Sequence, residues 1–242
     1  MAAHRFRDQT KSIFKKEQRA DMNAEMTPEQ LQVFKAAQAK AADLKSSYRP
    51  LDADHLDLLF REARSHNGWS DEPVSEELLH ELHNIVRMGP TSFNCCPARF
   101  VFITSAEGKE RIKPALAEPN VAKSMAAPVL TIIAHDLDFY EHLPKLLPVR
   151  DLKPMFENNS ELSASTAFRN GTLQGAYLMI VARALGLDCG PMSGFNNQAV
   201  DEEFFAGTNY KSNFLCALGH GDATKVYPRL PRFEFDEVCR IV

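Results

Sequence analysis

The chain has 242 residues, of which 44% are hydrophobic and 25% are charged, the composition of an ordinary globular protein. Its formal net charge of −4 disfavours nucleic-acid binding, which usually requires a basic face. No apolar run approaches the roughly 18 residues of a membrane span, and the N-terminus lacks an apolar signal core. Five cysteines without metal-ligand spacing are typical of a reducing compartment, so we expect a cytoplasmic protein without a membrane or nucleic-acid partner.

The N-terminal part of the chain differs in charge from the rest. Residues 1–50 hold ten Lys/Arg and six Asp/Glu, a net charge of +4, which leaves −8 for the remainder. The composition also changes at residues 46–50. We therefore predict an N-terminal extension over 1–50 and a main domain over 51–242.

Within the extension, residues 1–26 are polar and we expect them to be partly disordered. Met22 and Met26 are alternative start positions. The run Thr27-Pro28-Glu29 combines an N-cap, a proline at the first helical position and an acid in the first turn. It predicts one helix over 27–45, whose thin apolar stripe is expected to pack on the main domain or on a partner subunit.

The main domain mixes helical and extended patterns without strict β–α–β alternation. Apolar periodicity predicts helices at about 54–64, 75–88, 107–117 and 161–186. Continuous apolar runs predict strands at 99–104, 129–134 and 214–219. This mixture favours an α+β domain over a doubly wound sheet.

The segment 89–98, Gly-Pro-Thr-Ser-Phe-Asn-Cys-Cys-Pro-Ala, combines hydroxyls and an amide with two prolines. Hydroxyl and amide groups both donate and accept hydrogen bonds, and the prolines restrict the backbone to few conformations. Such a rigid loop suits a polar, planar ligand better than a metal ion or a bare charge.

Glycines recur at Gly186, Gly190 and Gly194. They follow a predicted helix rather than a strand, so they do not match the dinucleotide-binding fingerprint. Gly186 is expected to end the helix. The rest predicts a loop with little side-chain bulk, which is either a plain turn or a surface whose backbone N–H groups contact a flat ligand.

Metal and hydrolase motifs are not found. His80 and His83 lack the His-Glu-x-x-His spacing of zinc proteases. His135-Asp136-Leu137-Asp138 ends a predicted strand, where ordinary loops also place such residues. No Gly-x-Ser-x-Gly elbow occurs. We therefore predict no metal site and assign no side chain as catalytic.

Basic residues occur in three separate places that could act together. They are Arg64 in Arg-Ser-His-Asn, Lys123 in Asn-Val-Ala-Lys, and Arg229 in Tyr-Pro-Arg-Leu-Pro-Arg. Each alone is more often a solvated charge. Together they would form a phosphate clamp, because arginine binds phosphate in a bidentate manner and lysine adds a point charge.

These separated segments resemble, in order and approximate spacing, the motifs of the FMN-dependent nitroreductase family. The matching motifs are its N-terminal phosphate-binding segment, its Pro-Ser-Ser-x-Asn-x-Gln-Pro loop, the Asn/Lys pair at the flavin pyrimidine edge, the loop facing flavin N5 and the C-terminal phosphate arginine. The resemblance implies that FMN is contacted by Arg64, Ser65, His66, Pro90, Thr91, Ser92, Asn94, Asn120, Lys123, Pro191, Met192, Ser193, Gly194 and Arg229.

The resemblance is closer to one subgroup, the malonic semialdehyde reductases of pyrimidine degradation. It rests on residues 66–69, 89–92, 166–170, 190–195 and 230–232. It covers about 51–242 and leaves the first 50 residues outside.

Three positions depart from the wider family. Cys96 stands where Gln is usual and Ala98 where Trp is usual, which reshapes the wall of the pocket. We expect substrate choice to be decided there. Ser193 replaces a common Glu, but that position contributes mainly its backbone N–H, so flavin chemistry is not expected to be lost.

The resemblance implies a mostly antiparallel sheet flanked by helices, in an intertwined homodimer with FMN in a cleft shared by both subunits. The 89–98 loop would come from the partner subunit, and Asn120 and Lys123 would stabilise negative charge on the reduced flavin. NADPH or NADH would donate hydride in ping-pong kinetics.

The implied reaction is the reduction of malonic semialdehyde to 3-hydroxypropanoate. Arg169 is either a contact for the acidic substrate or part of a structural ion pair. One alternative function is a broad-specificity NAD(P)H nitro or quinone reductase. Another is a flavin-binding carrier or sensor without turnover.

Overall fold

The computed structural model describes residues 27–242, so the disorder expected for 1–26 lies outside the described residues. The chain divides into two compact units, with the boundary after Asp52. In the first unit, helix α1 spans Pro28–Ser47, and the carbonyl of Thr27 accepts a hydrogen bond from the N–H of Leu31 at 2.9 Å. Within 27–242, no helix is both long and apolar enough to cross a membrane.

The second unit is built on one antiparallel sheet. Its strands are β1 (Ala98–Ile103), β2 (Val129–Asp136), β3 (Asp188–Met192) and β4 (Tyr210–Gly219), in the order β1-β2-β4-β3. Every residue of β2 is buried, as expected for a central strand that is apolar on both faces. The predicted α+β class with an antiparallel sheet is confirmed.

Helices cover the sheet and extend beyond its edges. They are α2 (Ala53–Leu56), which continues into a π-helical turn (Asp57–Arg61), α3 (Glu76–Val86), α4 (Ala106–Ile112), α5 (Glu118–Ala126), α6 (Leu143–Leu146), α7 (Lys153–Glu157), α8 (Ser160–Ala184), α9 (Asn197–Phe204) and α10 (Phe235–Val238). Short 3-10 turns lie at Ser92–Asn94, Lys113–Ala115, Phe139–His142 and Ala223–Lys225.

Alternation along β2 divides the core between the two faces of the sheet. Ile133 packs with Leu82 of α3 and Leu178 of α8. Its neighbour Ile132 points the other way and packs with Ile112 and Val200. Because successive strand side chains point to opposite faces, one apolar strand supports both helical layers.

Strand β3 was not predicted, and the prediction of a loop over 188–192 is wrong. Gly190 and Pro191 both disfavour strands, but β3 is an edge strand, where a proline without an N–H is tolerated. Position 190 has no room for a side chain, since a Cβ there would lie 2.6 Å from the carbonyl oxygen of His66. Gly186 ends α8 with φ +84°, as predicted.

Other differences concern the ends of elements. The helix predicted over 107–117 stops at Ile112 and continues as the 3-10 turn Lys113–Ala115, because Pro114 has no N–H to donate to a carbonyl of the preceding turn. Helix α5 was not predicted, because nine residues beginning Glu-Pro-Asn give too few turns for a clear apolar period. Strands β2 and β4 are longer than predicted.

Candidate functional site

A cavity of about 620 Å³ opens between residues 60–67, the segment that follows α2, and residues 227–232, the C-terminal segment. It is lined by four arginines, Arg64, Arg183, Arg229 and Arg232, and no carboxylate is among its lining residues. We refer to it as the arginine cavity. Converging guanidinium groups without a carboxylate suit a phosphate, which arginine binds through paired N–H donors.

The predicted Arg64, Ser65 and Arg229 all line this cavity. The Arg229 Nη2 donates to the carbonyl of Ala63 at 3.2 Å, which links the C-terminal segment to the residue before Arg64. This hydrogen bond joins two residues that are 166 positions apart in the sequence.

Two further arginines were not predicted as cavity residues. Arg183 lies in the last turn of α8 and donates to the carbonyl of Leu59 at 3.0 Å. A basic residue there is commonly a partner of the helix dipole, so its sequence position gave no signal of a site. Arg232 follows Arg229 by three residues, and its Nη1 donates to the carbonyls of Leu230 and Pro231.

The His66 side chain does not line the arginine cavity. It is buried, and its Nε2 lies 3.2 Å from Asp188 Oδ1. Its backbone N–H donates to the carbonyl of Cys189 at 3.0 Å. His66 thus lies against β3 at the edge of the sheet, and its flavin contact stays a prediction.

Helix α5 is fixed beside the arginine cavity through Lys123. Its Nζ donates to Asn67 Oδ1 at 3.3 Å, and Asn67 itself lines the cavity. The carbonyl of Lys123 accepts from Trp69 Nε1 at 3.0 Å. Burial lowers the pKa of the Lys123 ammonium, which indicates that its charge acts in a poorly solvated position.

One turn earlier on α5, Asn120 holds the loop after β3. Its Nδ2 donates to the carbonyl of Gly194 at 2.9 Å. The same carbonyl also accepts from the N–H of Ala117 at 3.0 Å. A Cβ at position 194 would lie 2.6 Å from Asn120 Nδ2, so any other residue there would displace the Asn120 amide. The contacts join the arginine cavity, Lys123, Asn120 and the loop after β3 into one continuous site.

The end of β3 completes that site. Met192 is buried, and its Sδ accepts a hydrogen bond from Ser124 Oγ of α5 at 3.2 Å. Pro191 pairs with Cys216 of β4, whereas Ser193 is exposed. The predicted residues 191–194 therefore lie together, with only the last two outside the strand.

The 89–98 loop is fastened along α8. Three α8 side chains on one helical face hold it: Asn170 accepts from the N–H of Ser92 at 2.8 Å, Gln174 accepts from the N–H of Ala98 at 2.9 Å, and the hydroxyl of Tyr177 donates to the carbonyl of Pro90 at 3.0 Å. Their spacing of four and three residues places them one above another.

The backbone of this loop is strained. Phe93, Asn94 and Cys96 have φ of 54°, 54° and 40°, in the left-handed region that non-glycine residues seldom adopt. Thr91 Oγ1 accepts from the N–H of Cys96 at 3.1 Å, and Asn94 Nδ2 donates to the carbonyl of Leu146 at 2.8 Å. The loop is rigid, and strain of this kind is concentrated at functional sites.

Within one chain, the 89–98 loop lies apart from the continuous site. It precedes β1, at the opposite edge of the sheet from β3. Three strand spacings separate these edges by about 14 Å. Arg169 precedes Asn170, the residue that bonds the loop, and its side chain is exposed; no ion pair within 27–242 includes it.

With this geometry defined, comparison with known proteins identifies the family. A model of the nitroreductase family matches residues 60–220. The chain belongs to the nitroreductase family. The matched range contains all four strands and the segments around Arg64, Asn120 and Gly194.

Individual members of the nitroreductase family are similar over most of the chain. A protein of Cupriavidus pinatubonensis, named as a candidate NADH dehydrogenase/NAD(P)H nitroreductase, is 56% identical over 189 residues, 77% of this chain and 96% of the relative. A protein of the same name from Xanthomonas oryzae pv. oryzae is 58% identical over 190 residues, 78% of this chain and 97% of the relative.

Solved structures of nitroreductase-like proteins share the fold. A candidate nitroreductase from Exiguobacterium sibiricum, solved in complex with FMN, has a TM-score of 0.70 at 22% identity. The superposition covers 81% of this chain and 100% of that chain.

Two of the three positions that are expected to depart from the common nitroreductase motif, Cys96 and Ala98, lie in the 89–98 loop. Cys96 Sγ is 3.5 Å from Asn94 Oδ1 and 3.7 Å from Thr91 Oγ1, and Ala98 is half-buried at the start of β1. Burial raises the pKa of the neighbouring Cys95 thiol to about 12, so that thiol is unreactive.

A metal centre is not supported by the described part of the chain. No group of three or more His, Cys, Asp or Glu side chains within 27–242 could hold a metal ion. Asp136, which followed His135 in the sequence pattern, pairs with Arg99 instead.

Proposed function

We propose that this protein is an FMN-dependent NAD(P)H oxidoreductase that reduces malonic semialdehyde to 3-hydroxypropanoate by ping-pong hydride transfer. The observation that carries the proposal is the arginine cavity and its continuity, through Lys123 and Asn120, with Gly194. Bound FMN would supply the hydride-transfer chemistry, and the protein would supply position and electrostatics.

The residues present fit FMN at its charged end. Four guanidinium groups without a carboxylate match a phosphate dianion. Arg64 and Arg229, with the hydroxyl of Ser65, would bind the phosphate. Arg183 and Arg232 would add positive charge, and His66 would support the segment from behind.

The residues also fit a flavin ring. Gly194 would let the backbone approach the ring closely, and α5 carries both Asn120, which bonds the carbonyl of Gly194, and Lys123, which bonds Asn67. A positive charge at Lys123 would stabilise the negative charge that develops on reduction, and its burial would strengthen the effect. Pro191, Met192 and Ser193 would form the remaining wall.

A homodimer would complete the site. The outer face of α8 carries Leu173, Ala176 and Ile180, which are exposed or half-buried. On α8, Asn170 anchors the 89–98 loop. Arg183 lies about 20 Å from Asn170 along the helix axis, where it lines the arginine cavity. Two α8 helices crossing antiparallel near Ala176 would place each loop over the partner's arginine cavity.

This arrangement would bring Thr91, Ser92 and Asn94 to the partner subunit's flavin, with Pro90 fixing the turn. The exposed C-terminal side chains Tyr227, Leu230, Phe233 and Phe235 support an apolar contact with a partner chain, since clustered exposed apolar side chains mark interfaces.

The substrate assignment comes from the resemblance to malonic semialdehyde reductases, and an acidic substrate would need a cation to bind its carboxylate. Arg169 is exposed and adjoins the residue that anchors Ser92, so its guanidinium would be available for a substrate carboxylate. The relatives' names favour a second candidate function, a broad-specificity NAD(P)H nitro or quinone reductase.

Steady-state kinetics with competing acceptors separates these two reactions. We expect kcat/KM for malonic semialdehyde to exceed that for nitrobenzene. Arg169→Gln should lower kcat/KM for malonic semialdehyde about 10- to 100-fold, because a charge-assisted hydrogen bond to the carboxylate is lost. The same variant should leave reduction of propanal and nitrobenzene unchanged. A large preference of the unmodified protein for nitrobenzene would rule out the aldehyde assignment.

A further inference from the structure

The segment that carries Arg64 and the turn that leads towards Arg229 meet on one carboxylate, that of Asp188 at the start of β3. Asp188 Oδ1 lies 3.2 Å from His66 Nε2, two residues after Arg64. Asp188 Oδ2 accepts from the N–H of Gly221 at 2.8 Å, in the turn that leads to the C-terminal segment. Neither His66 nor Asp188 lines the arginine cavity.

The His66 imidazole occupies a close-fitting space. Its side chain is only 10% exposed, and a Cβ at Gly221 would lie 1.9 Å from its Nδ1. Nδ1 has no hydrogen-bond partner, which is costly for a buried polar atom. An apolar side chain would avoid that cost, so the contact of the other ring nitrogen with Asp188 explains why histidine stands here.

The residues around the contact between His66 and Asp188 are fixed to the sheet at further points. The N–H of His66 donates to the carbonyl of Cys189 at 3.0 Å, and Trp69 forms an isolated bridge with Gly221. Strand β3 is thus a rigid base for both segments. A site held by rigid supporting contacts binds its ligand more tightly, because less ordering is left to occur on binding.

We propose that His66 and Asp188 are positioning residues that set the spacing between Arg64 and Arg229 for a phosphate. The inference rests on the proposed function, because it takes the arginine cavity to be the phosphate site. His66 and Asp188 act through the arginines and make no contact with the ligand.

The test compares FMN with riboflavin, which lacks the phosphate, in titrations of the flavin-free protein. His66→Leu and Asp188→Ala should each weaken FMN binding about tenfold and leave riboflavin binding unchanged within about twofold. The double variant should be no worse than Asp188→Ala alone, since Asp188→Ala already removes the contact that His66→Leu removes. His66→Gln should recover most of the affinity, because its amide can donate to Asp188.

The matched control is Glu72→Ala. It removes the pairing of Glu72 with His220 Nε2 at 3.4 Å, one residue before Gly221, and should change neither affinity. The melting temperature of each flavin-free variant is measured alongside. Asp188 is 41% exposed, so Asp188→Ala should fold even if His66→Leu does not.

Three results would overturn the inference. Equal losses of FMN and riboflavin affinity would show a general structural role, and an unchanged FMN-to-riboflavin ratio in Asp188→Ala would show no positioning role. If the unmodified protein binds riboflavin as tightly as FMN, the phosphate clamp of the proposed function fails first, and the positioning role fails with it.

Discussion

Replacing both Arg64 and Arg229 with alanine is expected to weaken FMN binding about 100- to 10,000-fold. Each arginine would make charge-assisted hydrogen bonds with the phosphate, worth about 1.5–3 kcal/mol apiece, so removing both costs about 3–6 kcal/mol. Flavin content after purification and titration of the flavin-free protein both measure the loss. Each single variant should show about half of the free-energy change.

Riboflavin again shows how much of the loss is due to the phosphate, since the double variant should bind riboflavin as tightly as the unmodified protein does. Arg111→Ala is the matched control: Arg111 is an exposed arginine of α4 paired with Glu203 at 2.7 Å, and it does not line the arginine cavity. If the double variant retains its full FMN occupancy, the arginine cavity is not the phosphate site.

Two inactive variants are expected to restore about a quarter of the wild-type activity when they are co-expressed. One carries Arg64→Ala and Arg229→Ala. The other carries Ser92→Trp, which blocks the 89–98 loop with a bulky side chain at an exposed position. If a loop serves the partner's arginine cavity, half of the randomly formed dimers are mixed, and each has one intact site of two.

The same experiment gives a different result if each site is built from a single chain. If loop and arginine cavity of one chain formed one site, every chain in the mixture would carry a defect and no activity would return. Each variant expressed alone and then mixed after purification, without subunit exchange, is the control for residual activity.

The sequence predicted the fold class, and short motifs named most of the residues that the candidate site brings together, because both rest on local signals. The helices α3 and α8 have clear caps and periods, and the Ser75 Oγ that caps α3 accepts from the N–H of Leu78 at 3.2 Å. Asn120, Lys123 and Gly194 were recognisable from short motifs, and the structure joins them through contacts between α5 and the loop after β3.

The parts that could not be predicted depend on distant contacts. Arg183 reaches the arginine cavity only because the end of α8 packs against the turn after α2. His66 turns towards Asp188, 122 residues later, so no local pattern could distinguish it from a ligand of the phosphate. Strand β3 exists because β4 supplies the pairing that its own Gly190 and Pro191 disfavour.

The proposed function requires that bound flavin accepts electrons from a nicotinamide donor and delivers them to an acceptor. Anaerobic stopped-flow mixing of the yellow protein with NADPH, and separately with NADH, tests this by following the flavin absorption. We predict rapid bleaching with at least one donor, then recovery of the colour on adding malonic semialdehyde. Protein that stays yellow with both donors would contradict the account and would support a flavin carrier or sensor.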